Sequence, residues 1–155
     1  MKRLLMLALV GAMAVAAAPA GAQNPPKATG KILGPLHVHG DQASLRVRYR
    51  CSQSQAIWVS AKQAASRKRD AALTKEGSSQ TAAAWWDSHR QYFRCDGKRH
   101  VGTFYVDKAE PGKKGTLRKG WAWIQFCLTV PGATPQDEGT LELSRSRFVR
   151  VAVHK

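Results

Sequence analysis

The chain has 155 residues and carries 25 Lys and Arg against 10 Asp and Glu, for a net charge of +15. That length holds one domain with a core of its own and is short for two. The scarcity of carboxylates speaks against glycosidase chemistry, which needs two positioned acids, and no Gly-x-Ser-x-Gly elbow frames a serine for nucleophilic attack.

Lys2 and Arg3 open the chain, an apolar stretch covers residues 4–18, and Ala20-Gly21-Ala22 precedes Gln23. These are the three parts of a secretory signal peptide, so residues 1–22 are predicted to be removed. A membrane anchor is disfavoured because the apolar stretch is shorter than the ~20 residues of a spanning helix and Pro19 interrupts it. No other run is long and apolar enough to span. The predicted product is secreted, extracellular or associated with the cell envelope, and carries +13 on 133 residues. No Cys follows the cleavage site to suggest a lipid anchor. Residues 23–30, polar and containing Pro25-Pro26, read as a flexible leader, and 31–155 as the folded domain.

Period-two patterns dominate from there. Residues 31–39 are a weak strand candidate in which His37 and His39 share a face. That spacing binds a metal only weakly and no third ligand is spaced to join it, so no metal site and no cofactor are predicted. In 43–51, Ala43, Leu45, Val47, Tyr49 and Cys51 alternate with Ser44, Arg46, Arg48 and Arg50, which is a half-buried strand with a basic outer face. In 56–63, Ile57, Val59 and Ala61 alternate with Trp58, Ser60 and Lys62.

Residues 64–86 break the alternation. A short helix over 64–74 has good helix formers but little apolar face, so the stretch reads as a long mobile insertion between strands. Further strands are predicted over 100–107, 120–130 and 148–154, with a weaker one at 88–95. Seven short strands separated by Gly, Pro and Asp argue for an all-β antiparallel sandwich rather than a barrel.

Cys51, Cys95 and Cys127 all lie in the exported part, where oxidation lets a disulfide persist. Three cysteines leave one bridge and one thiol over, which is buried, reactive or paired with another chain. Cys51 before a strand ending in Gln63, Cys95-Asp96-Gly97 with His100 just beyond, and Gly120 with Ala122 opening a long strand make up a pattern. It resembles the small secreted immunoglobulin-like domains of unknown function found in actinobacteria, over about residues 28–153. The resemblance implies a seven-stranded immunoglobulin-like sandwich and one internal disulfide, and it implies no known activity. Cys51 and Cys95 each end a predicted strand, so a bond between them would staple two strands. Cys127 and the long 64–86 segment lie outside the pattern.

The cations form groups: Arg46, Arg48 and Arg50 in a row, Arg67, Lys68 and Arg69 in the insertion, Lys113 and Lys114 with Arg118 and Lys119 in a turn, and Arg145, Arg147 and Arg150 near the C-terminus. Charge of this density exceeds what solubility requires and favours polyanions. Trp121, Trp123 and Cys127 share the outward face of their strand, where they are either covered by the insertion or open as an aromatic platform; Trp58 is a further candidate contact. An open Cys127 would permit a homodimer.

The leading expectation is a non-enzymatic secreted binding domain contacting anionic envelope polymers or a protein partner, with nucleic acid bound only nonspecifically. The alternatives are a small-ligand carrier resembling the apoproteins of neocarzinostatin-type chromophores, whose two-disulfide pattern this chain lacks, and a small secreted enzyme. For the enzyme, Ser residues, His89 and His100 are present without a framing motif.

Overall fold

The computed structural model describes residues 27–54, 56–88, 92–108, 114–130 and 141–154. The predicted export signal, residues 23–26 of the predicted leader, His89 and Lys113 lie outside the described residues, while Thr29 and Gly30 of that leader open the first strand. The strands are β1 (Thr29–His39), β2 (Gln42–Arg50), β3 (Ala56–Gln63), β4 (Ala84–Ser88), β5 (Arg99–Asp107), β6 (Gly120–Thr129) and β7 (Leu141–His154).

They form one closed sheet in the order β1-β2-β5-β4-β3-β6-β7, so the predicted sandwich is corrected to a barrel. Two seams close it. β7 returns to β1 in parallel, from Leu36 opposite Val151 to His39 opposite His154. On the other side β4 meets β5 through the pair Asp87 and Asp107. Alternation tells which side chains face inward in either architecture, but not whether the outermost strands find each other. Among the described residues, these two seams bring the ends of the sheet together, over four paired positions at one and a single pair at the other.

The inward residues are those the alternation marks. Leu45, Val47, Ile57, Val59, Ile124, Phe126 and Leu128 are buried, and Trp86, Phe104 and Leu36 fill the space between them. Burying a side chain of this size stabilises by about 1.5–3 kcal/mol, so this packing carries the fold. Tyr49 stacks edge-on to Phe104, with ring centres 5.7 Å apart.

Of the stretch predicted as a mobile insertion, residues 64–86, the part over 64–83 packs on the outside of the sheet and the part from Ala84 enters β4. The expected helix shrinks to a single 3-10 turn, Ala71–Thr74, whose first turn is capped by the Asp70 carboxylate accepting from the Ala72 N–H at 2.9 Å. Leu73 supplies the turn's buried side chain. With Ala64 and Ala82 it forms a second small apolar cluster, against which Trp85, Trp123 and Phe148 pack. The weak strand predicted at 88–95 is displaced toward the N-terminus, because Trp85 and Trp86 form β4, and residues 92–95 are not in a strand.

Candidate functional site

The outer face of β1, β2 and β5 gathers cations that the sequence scatters. Arg46, Arg48 and Arg50 lie opposite Leu33, Lys31 and Thr29 of β1. On the other side they lie opposite Thr103, Val101 and Arg99 of β5. Lys31 therefore stands directly across from Arg48, and Arg50 across from Arg99. Like charges in direct opposition on one sheet face cost stability rather than add it.

The described ion pairs are His100 with Asp96 at 2.7 Å and Lys108 with Asp41 at 3.4 Å, so none of these five cations has an acid partner among the described residues. Asp107 sits at one end of the face, where its carboxylate accepts from the Gln42 amide at 3.0 Å. Asp96 sits at the other, its carboxyl held below the usual carboxylate range by hydrogen bonds from His100 and the Lys98 N–H. Lys31 and Arg99 escape a reading by alternation alone, because only the register shows which residues face across strands.

A second basic group surrounds Trp121. The guanidinium of Arg69 lies 3.8 Å from the centre of its ring and that of Arg150 4.3 Å. The Trp121 N–H donates to the Arg67 carbonyl at 2.8 Å, tying the 64–83 segment to the start of β6. Arg118 is held by the Gln63 side-chain amide, which accepts from its N–H and donates to its carbonyl, both at 2.8 Å. Lys68 and Lys119 are exposed beside them in the chain. Lys114 donates to the Gln80 carbonyl at 2.6 Å. Arg145 caps the Ser144 carbonyl, and Arg147 reaches across to the Ile32 carbonyl at 3.3 Å.

Trp58, Trp121 and Trp123 are each half-buried. Trp123 packs on Phe148 with ring centres 4.9 Å apart and under the small cluster of the 64–83 segment. Trp121 lies between two guanidiniums, and the half-buried Trp58 donates to Asp87 at 3.4 Å. Cys127 is 2 % exposed, with its thiol 3.6 Å from the Ser144 hydroxyl, so the route to a dimer through an open thiol is closed. Cys51 and Cys95 are bonded to each other, with Cα atoms 4.9 Å apart. Glu142 approaches them closely enough for one ion to be shared, but both sulfurs are spent in the disulfide and offer no thiolate.

One pair has the chemistry of an activated nucleophile. The Lys62 amine donates to the Ser78 hydroxyl at 2.9 Å, and burial pushes the amine below its usual range. Yet Lys62 is 6 % and Ser78 4 % exposed, and the hydroxyl gives its proton to the Leu73 carbonyl at 2.9 Å. The pair is a strut between β3 and the 64–83 segment.

The closing seam also assembles three histidines. His37 Nδ1 lies 2.9 Å from His154 Nε2, and His39 stacks on His154 with centres 4.6 Å apart. The third imidazole missing from the His-x-His spacing thus arrives from the far end of the chain, which corrects the reading of an isolated pair. Comparison with protein-family models and with curated proteins found no match to this chain.

Proposed function

We propose that this chain is an exported, non-enzymatic binding domain that takes an anionic polymer, such as a cell-wall phosphate polymer, across the outer face of β1, β2 and β5. The observation that carries the reading is the direct opposition of Lys31 to Arg48 and of Arg50 to Arg99 with no described acid between them. An arrangement that costs folding stability is retained where a ligand supplies the missing counter-charge. Phosphates along a polymer match such a face and bring affinity with little selectivity. The group around Trp121 extends the positive surface.

The carrier reading draws less support, because Trp86, Phe104, Phe126 and Ile124 occupy the barrel interior where a small apolar ligand would sit. The enzyme reading draws none from the buried Lys62 and Ser78 pair. Co-sedimentation of the mature domain with poly(glycerol phosphate) and with an uncharged polysaccharide tests the proposal. Retention on the phosphate polymer and release by salt is expected; equal retention on both polymers would overturn it.

A further inference from the structure

We propose that His37, His39 and His154 form a surface site for a divalent late first-row transition ion, with Cu(II) the preferred occupant. The site is separate from the polyanion reading and stands on the seam that closes the barrel. Alternation along β1 puts His37 and His39 on one face, two residues apart. The parallel register sets His154 of β7 directly beside His39, within a run of four paired positions. All three imidazoles are thus borne on paired strands, which hold ligands more firmly than loops do.

One pair of nitrogens stands at the separation an ion needs, and the third ligand comes from rotation of the His39 ring. Two nitrogens bound at about 2.0–2.1 Å and at right angles around one centre are about 2.9 Å apart. His37 Nδ1 and His154 Nε2 stand at 2.9 Å, joined by a hydrogen bond whose shared proton a bound ion would replace. The His154 ring lies between the other two, 5.1 Å from His37 and 4.6 Å from His39 by ring centres. His39 is exposed, so its ring can turn out of the stack and bring a nitrogen to the same centre. No described carboxylate pairs with any of the three. An all-imidazole donor set favours Cu(II), Ni(II) and Zn(II) over Mg(II) or Ca(II), and Cu(II) heads the affinity order.

The test is titration of the full exported domain, disulfide intact, with Cu(II) alone, followed by electron paramagnetic resonance and visible absorption. One bound Cu(II) with nitrogen coupling is expected. Removing a ligand costs at least as much as removing the group that orients one, so His37→Ala, His39→Ala and His154→Ala should each weaken binding by about tenfold or more. His100→Ala, outside the site, should bind as the wild type does. The wild type also reads out alone: substoichiometric Cu(II) should broaden the ring resonances of His37, His39 and His154 before those of His89 and His100. Absence of saturable binding, wild-type affinity in any of the three variants, or broadening led by His89 or His100 would overturn the site.

Discussion

Lys62 shows how much a single position depends on what covers it. On β3 it lies opposite Trp85 of β4 and Trp123 of β6, and the segment that packs over those rings also buries its amine. Burial disfavours the charged form, so the folded protein holds this proton more weakly than the unfolded chain does. Because the unfolded state binds more protons, stability rises with pH as Lys62 passes from its lowered folded value toward the ordinary lysine range. Lys62→Met removes that dependence, so the wild type should gain stability on the variant as pH rises toward the ordinary lysine value. Thermal melts of both proteins across that window check it, and a gap moving the other way would refute the cause assigned. Alternation correctly places Lys62 on the outer face with Trp58 and Ser60. It does not show the burial, because the covering residues Leu73 and Ser78 come from a segment without periodicity. The same holds for Cys127, which is outward by count and buried in fact.

The elements were legible in proportion to how strictly they alternate. β2, β3 and β6 have clean inward rows that are read directly from the chain. β7 is read only in part: Val149 and Val151 face inward as alternation predicts, but Val153 is exposed and the strand begins at Leu141, ahead of the predicted 148–154. β4 was not legible, since Ala84, Trp85 and Trp86 follow a run of alanines that suggests neither period. Its position rests on non-local contacts, among them the paired hydrogen bonds between Trp85 and Lys114 at 2.8 and 3.1 Å. The turn after Lys114 is where those contacts are most exacting. Gly115 has φ +68°, and a Cβ there would come within 2.0 Å of the Ala83 carbonyl oxygen. A left-handed conformation costs a residue with a Cβ roughly 1–2 kcal/mol by itself, and a clash with backbone adds to it. Gly115→Ala should therefore destabilise by about 3 kcal/mol or more and speed proteolysis within 64–83. Urea unfolding with limited digestion measures both; a variant as stable as the wild type would show that the approach of these two segments is relaxed easily.

At the scale of the whole molecule, a closed barrel with one covalent staple supports a surface of unusual charge. The disulfide spans 44 positions, and closing a loop of that length limits the unfolded chain by about 4 kcal/mol in the chain-entropy account. The double variant Cys51→Ala/Cys95→Ala should lose stability of that order in denaturant titrations, and a loss well under 1 kcal/mol would show that the barrel needs no staple. The row of Arg46, Arg48 and Arg50 was visible in the alternation of one strand. Barrel closure, the opposition of Lys31 and Arg99 to that row, and the histidine cluster were not, because each depends on a register between strands distant in the chain. If the face is a binding surface, its cations contact phosphates as a unit. The direct measurement is the salt dependence of affinity for a short DNA duplex used as a defined polyanion, compared among the wild type, Lys31→Ala, Arg48→Ala, Arg99→Ala and the exposed control Lys75→Ala. Each lost phosphate contact lowers the slope of log affinity against log salt by about 0.9. That decrement is expected for the three face variants and none for Lys75→Ala; slopes equal across all five proteins, or an affinity indifferent to salt, would show that the face is not a phosphate-binding surface.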